Sequence, residues 1–162
     1  MIFVTVGTQL PFDRLVSAVD TWARRTRQRD VFAQIGPSKL RPSFIDCCEF
    51  LPPTEFARYF AAADLIVAHA GMGSIITAMT NGKPLLVMPR SAKLNEHRND
   101  HQLGTAMRFK ALRSITVAMD TDELVAELDR FRTIPPASRV EVHASSTLLD
   151  ALRDFLSSDR RK

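Results

Sequence analysis

The sequence of 162 residues has few cysteines and no long apolar run. Its two cysteines, Cys47 and Cys48, are adjacent, a spacing that suits neither a metal cluster nor an ordinary disulfide, so we expect reduced, buried thiols. No apolar run approaches the roughly 18 residues of a membrane-spanning helix. Met1 leads directly into a strand-like stretch without a signal-peptide pattern. These absences predict a soluble cytoplasmic protein.

The length of the chain indicates the number of domains, and its charge distribution bears on nucleic-acid binding. The chain is of single-domain size, so we predict one domain over residues 1–162. Its net charge is +4, with basic residues clustered at 24–29 and 160–162. Nucleic-acid sites usually add interleaved aromatic residues or a recognisable motif, and neither is present. We therefore predict no nucleic-acid partner and interpret the clusters as solvated ends of helices, with an anionic membrane surface or an acidic partner as the alternative.

Short apolar runs alternate with helical patterns along the chain. This alternation predicts the α/β class, with a doubly wound, mainly parallel, Rossmann-like sheet. The link 37–43 is short for a parallel crossover, so the pairing of the strands on either side of it stays open. Strands are predicted at 2–6, 31–35, 44–51, 65–68, before Pro89 and at 114–118, and helices from near Pro11, Thr54, Ser74, Asn95 and Asp120 and over 139–157.

A loop of small residues follows the strand at 65–68. We expect Gly71 and Gly73 to adopt positive φ and Ser74 to cap the following helix. The free N–H groups of that helix and its dipole favour an anion over the loop. His69 comes at the carboxyl end of the strand, where open α/β sheets bind ligands. The stretch is typical of a diphosphate site.

The turn Gly7-Thr8-Gln9 follows the first strand in the same way. It provides either a second anion contact or only a turn, and the residues alone do not decide between the two. The turn lacks the G-x-G-x-x-G pattern and no acidic residue ends the second strand, which disfavours a dinucleotide oxidoreductase.

Eight consecutive polar residues occupy positions 95–102. If a helix begins near Asn95, Glu96, Asp100 and Gln102 lie in its first turns, where carboxylate and amide groups suit sugar hydroxyls. A solvated helix start is the alternative. His97 and His101 have the i, i+4 spacing of metal ligands, but no third ligand matches them, so we predict no metal site.

Several motifs together resemble those of a known family. They are His69 to Ser74, Gly82-Lys83-Pro84, Pro89-Arg90, Asp100-His101-Gln102 and the opening Phe3 to Thr8. Over residues 2–130 the chain resembles the carboxyl-terminal, donor-binding half of GT-B glycosyltransferases. It is similar to the stand-alone halves found in the two-part UDP-GlcNAc transferase of dolichol-linked glycan synthesis, and closer to bacterial exopolysaccharide subunits that pair with a membrane-anchored partner.

This resemblance implies three groups of contacts. Phe50 and Leu51 match positions that hold the uracil, and Thr77 stands where related enzymes often use a Glu for the ribose. The sugar hydroxyls would be bound by Glu96, Asp100, His101 and Gln102. If the sugar is a uronate, Arg90 or Arg98 could pair with its carboxylate. The diphosphate would be bound by Gly7, Thr8, Gln9, His69, Gly71, Met72, Gly73 and Ser74.

The resemblance also implies a function. We expect a UDP-sugar-binding catalytic subunit that transfers a sugar to a lipid-linked acceptor in polysaccharide synthesis, without a metal or cofactor. The general base comes from a membrane-anchored, acceptor-binding partner, which also keeps the chain at the inner face of the membrane. Without that partner we expect self-association. The alternative is a nucleotide-binding sensor without catalysis.

Overall fold

The computed structural model describes residues 1–112 and 115–137. The predicted helix at 139–157 lies outside these residues. Two short 3-10 helices, Ala92–Leu94 and Phe131–Thr133, accompany the regular elements. The strands are β1 (Ile2–Thr5), β2 (Val31–Gln34), β3 (Asp46–Cys48), β4 (Leu65–His69), β5 (Leu85–Met88) and β6 (Thr116–Val117); the helices are α1 (Asp13–Thr26), α2 (Pro53–Ala62), α3 (Met72–Asn81), α4 (His101–Leu112) and α5 (Thr121–Asp129).

The six strands form one sheet in the order β3-β2-β1-β4-β5-β6, and every neighbouring pair is parallel. This order reverses between β1 and β4, and ligands bind at such a reversal, beyond the carboxyl ends of the strands. The predicted doubly wound parallel sheet is confirmed. The loops after β1 and β4 therefore lie side by side at the place where a ligand is expected.

The connection from β2 to β3 answers the open pairing question. The two strands are parallel, with Phe32 beside Asp46, although no described helix lies between them. The Asp20 carboxylate of α1 accepts hydrogen bonds from the backbone N–H groups of Ser43, Phe44 and Ile45 at 3.2, 2.8 and 3.0 Å. Burial opposes ionisation of Asp20, but these donors lower its pKa. A side chain on α1 thus holds the connection that a crossover helix usually provides.

The sheet is covered on both faces, as the apolar spacing of the helices predicted. On one face α1 and α5 pack through residues such as Leu15, Val19 and Leu124. On the other, Phe60 of α2 and Ile75 of α3 pack with residues of α4. Among the described residues, no helix is long and apolar enough to cross a membrane.

Several predicted details were wrong. β3 is three residues long instead of 44–51, and α4 begins at His101, six residues later than expected. Residues 95–100 do not start a helix because Asn95 has a φ of 56°, in the left-handed region that ends the preceding 3-10 helix. Both cysteines, predicted to be buried, are only partly buried.

Candidate functional site

A cavity of about 820 Å³ lies at the carboxyl ends of the strands, at the reversal between β1 and β4. It is lined by the loops after β1 and β4, the start of α3 and residues from the segment after β5. No Asp or Glu is among its described lining residues. Thirteen of the sixteen predicted site residues line it, namely Gly7, Thr8, Gln9, Leu51, His69, Gly71, Met72, Gly73, Ser74, Thr77, Arg90, His101 and Gln102.

The amino end of α3 faces this cavity. Its N-cap is Gly71, with a φ of −89°, and no side chain caps the helix. The first three helical residues, Met72, Gly73 and Ser74, therefore offer N–H groups that have no acceptor within the helix. Positive φ at Gly71 and Gly73 and capping by Ser74 were wrong predictions, because Ser74 lies inside the helix. The uncapped end nevertheless suits an anion.

His69 lies between the two glycine loops. Gly7 has a φ of 79°, and a Cβ added there would come 2.7 Å from His69 Cε1. A Cβ added at Gly71 would overlap His69 Nε2. The imidazole thus occupies the space that a side chain at either position would need, which explains glycine at both. This close approach, not positive φ, is the requirement at Gly71.

Burial strongly affects the protonation of His69. Burial first, and the positive charge of Arg90 second, lower the pKa of His69 to about 4, although the nearby Thr5 backbone opposes the shift. Its Nδ1 is buried and forms no hydrogen bond of normal geometry with the described residues. At neutral pH the imidazole is therefore uncharged, with one nitrogen as donor and the other as acceptor.

This protonation behaviour predicts a loss of stability in acid. The unfolded chain binds a proton at His69 below about pH 6.5 and the folded chain only below about pH 4. Stability therefore falls as pH decreases from 6.5 to 4, by on the order of 3 kcal/mol from this group. The test is to measure the free energy of unfolding of wild type and of His69→Gln at pH 7 and at pH 4.5. Between these two pH values, wild type should lose more stability than the variant. An NMR titration that gives His69 a pKa near 6.5 would contradict the argument.

Arg90 lines the cavity but is 2% exposed. Its Nη2 donates to the carbonyls of Val6 and Leu10 at 2.7 and 2.6 Å. Its Nη1 donates to the carbonyls of Pro11 and Glu96 at 2.6 and 3.3 Å. The predicted sugar or uronate contact is not supported by this placement, because both terminal nitrogens are already engaged with backbone carbonyls.

Glu96 and Asp100 do not line the cavity. Glu96 accepts Arg14 Nε at 2.7 Å and Arg14 Nη2 at 2.8 Å, and it also accepts the Ser91 N–H. Asp100 accepts the Ala92 N–H at 2.8 Å. Both carboxylates hold the segment after β5, so the structure does not bring them to the predicted sugar position.

His101 and Gln102 do reach the cavity, together with His97. The rings of His97 and His101 meet edge to face with centroids 4.5 Å apart. Gln102 is 4% exposed and its Oε1 accepts the Arg90 N–H at 3.2 Å. Within residues 1–112 and 115–137, no group of three His, Cys, Asp or Glu side chains is placed to hold a metal.

Comparison with known families fits this geometry. The sequence matches the glycosyltransferase family 28 C-terminal domain over residues 1–147. The chain belongs to this family. The resemblance to a donor-binding half of a GT-B enzyme is confirmed, and the chain is a glycosyltransferase domain.

Relatives of this family 28 domain include subunits of UDP-N-acetylglucosamine transferases. The chain is 38% identical over 82 residues to the UDP-N-acetylglucosamine transferase subunit ALG13 of Eremothecium gossypii, a match that covers 47% of this chain and 38% of that protein. The ALG13 subunit of Yarrowia lipolytica is 25% identical over 140 residues, covering 76% and 67%. The solution structure of an ALG13 has a TM-score of 0.60 at 19% identity and covers 86% of this chain and 89% of that one, which shows a shared fold.

The cavity of the family 28 domain also contains residues that the sequence motifs did not indicate. Gln34 ends β2, and its side chain accepts the Leu51 N–H at 3.1 Å and donates to the Gly7 carbonyl at 3.5 Å. A polar residue at the end of an otherwise apolar strand was the available signal. Phe56 lines the cavity, whereas Phe50, predicted to contact uracil, is 48% exposed and outside the lining.

Proposed function

We propose that this domain is the UDP-sugar-binding catalytic subunit of a two-component glycosyltransferase. The observation that supports it most is the uncapped amino end of α3, which faces the loop Gly7–Gln9 across a cavity without described carboxylates. Two sets of backbone groups thus meet where a diphosphate would lie. Neutral His69, between them, would contribute a hydrogen bond without a full charge.

The same arrangement suits the chemistry of glycosyl transfer. When the bond between the sugar and the diphosphate breaks, negative charge develops on the departing phosphate oxygens. The N–H groups of Met72, Gly73 and Ser74 are fixed by the helix before the reaction starts. Such preorganised donors stabilise the transition state more than the ground state. Because Mg²⁺ prefers carboxylate ligands and the described lining offers none, we propose transfer without a metal or cofactor.

The acceptor must also lose a proton, and a carboxylate usually accepts it when no His of suitable pKa is available. The described lining has no carboxylate. Of its three histidines, His69 is buried with a lowered pKa, and the rings of His97 and His101 pack against each other. We therefore place the general base on a second, membrane-anchored subunit that binds a lipid-linked acceptor for polysaccharide synthesis. Such a partner would keep this domain at the inner face of the membrane. The word "subunit" in the names of the relatives supports a two-chain enzyme.

The cavity mouth has apolar side chains that a partner could cover. Leu10 and Met72 line the cavity and are 36% and 48% exposed, and Ile76, one turn further along α3, is 53% exposed. Without the partner, a second copy of the chain would cover this apolar surface, so we propose self-association of the isolated domain.

Ribose recognition is the least complete part of the site. Thr77 lines the cavity in the position of the Glu that related enzymes often use, and its hydroxyl donates to the Gly73 carbonyl at 2.8 Å. The hydroxyl oxygen still has room to accept one hydrogen bond. We therefore propose that Thr77 contributes at most one contact to the ribose.

Calorimetry with uridine, UDP, NAD and four UDP-sugars tests the proposal. We expect UDP to bind at least tenfold more tightly than uridine, because the diphosphate gains the donors at α3. The affinity of at least one of the four UDP-sugars, UDP-glucose, UDP-galactose, UDP-GlcNAc and UDP-glucuronate, should differ from the affinity of UDP itself. A nucleotide sensor would bind UDP and all four UDP-sugars alike, and tighter binding of NAD would point to an oxidoreductase; either result contradicts the proposal.

A further inference from the structure

We propose that Arg90 is a positioning residue that fixes the β1–α1 loop, residues 6–12, in the shape that binds the donor diphosphate. The inference rests on the proposed UDP-sugar function but assigns a separate role. Arg90 acts here through backbone carbonyls of the protein, not through contact with the sugar.

The hydrogen bonds of Arg90 bracket the donor-binding part of the loop. One guanidinium binds the carbonyl of Val6 on one side and the carbonyls of Leu10 and Pro11 on the other. Gly7, Thr8 and Gln9 lie between these anchors and line the cavity. The three residues are therefore a short bridge whose two ends are held by the same side chain.

Only arginine has suitable geometry for this task. Its planar guanidinium has five N–H donors in a fixed arrangement, whereas a lysine ammonium has three on a flexible chain. The guanidinium also lies 5.0 Å from the centroid of the Phe12 ring, the last residue of the loop. Burial lowers the pKa of Arg90, and the charge of Glu96 opposes this change. If Arg90 is removed, three buried or partly buried loop carbonyls lose their donors.

A second arginine holds Arg90 in place from the outside. The Glu96 carbonyl accepts Arg90 Nη1, while the Glu96 carboxylate binds Arg14 in a two-pronged ion pair. Arg14 Nη2 also donates to the Pro89 carbonyl at 3.2 Å, next to Arg90 in the chain. Arg14 belongs to α1, so the segment carrying Arg90 is tied to the helix that the loop enters. We call Arg90, Arg14 and Glu96 the loop clamp.

The test compares Arg90→Lys and Arg90→Met with Arg108→Met, which removes one charge from an exposed position of α4. Affinities for UDP and for uridine are measured for each by NMR titration. We expect both Arg90 variants to bind UDP at least tenfold more weakly and uridine within twofold of wild type, because only the diphosphate uses the loop. Arg108→Met should change neither affinity. The backbone amide signals of Gly7, Thr8 and Gln9 should shift in the free Arg90 variants.

Three results would overturn the inference. If Arg90→Lys keeps wild-type UDP affinity, the charge matters and not the planar set of hydrogen bonds. If UDP and uridine weaken equally, the substitutions damage the whole fold. If the three loop amides stay unchanged, the loop does not depend on Arg90. Wild type that binds no UDP would instead contradict the proposed function, while the amide signals would still test the loop.

Glu96→Gln provides the test if both Arg90 variants fail to fold. It keeps the shape of the side chain but removes the charge that faces Arg14. We expect UDP affinity to fall at least threefold with uridine affinity unchanged. Wild-type UDP affinity in Glu96→Gln would overturn the role of the loop clamp.

Discussion

Replacing Gly71 with alanine is expected to weaken UDP binding about thirtyfold. The new Cβ would overlap Nε2 of His69, which is held in a buried position beside β1. Overpacking of this kind typically costs about 1–3 kcal/mol, and about 2 kcal/mol corresponds to roughly thirtyfold in affinity. To relieve the overlap, either the imidazole or the start of α3 must move, and both belong to the proposed diphosphate site.

Gly104→Ala is the matched control, measured by the same calorimetric titration. Gly104 lies inside α4, and a Cβ added there meets nothing within 4 Å. Since alanine is the better helix former, this variant should be more stable by about 0.5–1 kcal/mol. Its UDP affinity should match wild type. Unchanged UDP affinity in Gly71→Ala would show that the contact between His69 and the loop is not needed for binding.

The isolated chain is expected to transfer sugar at least about 100-fold more slowly than the chain with the proposed acceptor-binding subunit. General-base catalysis contributes roughly 10²–10⁴ in rate, and the described cavity lining supplies no carboxylate for it. Turnover from the UDP-sugar to a lipid-linked acceptor is measured with and without the partner subunit. Donor affinity, measured in parallel on the isolated chain, should be retained.

Robust transfer by the isolated chain would contradict the two-component mechanism. Hydrolysis of the UDP-sugar to free sugar is the necessary control, since water can replace the acceptor. A chain that binds the donor but needs a partner for transfer would show binding, slow hydrolysis and little transfer. A chain that contains its own base would show transfer without the partner.

The sheet could be predicted because its signals are local. Apolar runs such as 65–68 and helical spacing such as that of Leu15, Val19 and Trp22 depend on nearest neighbours along the chain. The parallel pairing of β2 and β3 could not be predicted, because it depends on a contact between distant residues. The Asp20 carboxylate binds the N–H of Ile45, which is 25 residues away in sequence. The start of α4 was missed because Asn95, the first residue of the polar block, is left-handed and redirects the chain.

The candidate site also has a part that was predictable from sequence and a part that was not. Backbone elements of the diphosphate site were predictable from glycines after strand ends, and His69 with Gly71 indeed lies at the cavity. The roles of the charged side chains were not predictable, because they depend on distant partners. Glu96, for example, pairs with Arg14, 82 residues earlier in the chain. Arg90 was likewise assigned to the substrate, whereas it binds carbonyls of a loop about 80 positions before it. Composition indicates that charges lie near a site, but only the fold shows whether they face the ligand or the protein.

The central claim is that the start of α3 and the loop after β1 hold the diphosphate of a UDP-sugar. The most direct test is a titration of isotope-labelled protein with UDP, followed through its backbone amide NMR signals. We predict the largest shifts at Gly7, Thr8, Met72, Gly73 and Ser74, with much smaller shifts when uridine replaces UDP. Shifts of equal size with uridine would contradict the account, as would shifts centred away from the cavity, for example around Arg24 of α1 and Arg41 of the connection between β2 and β3.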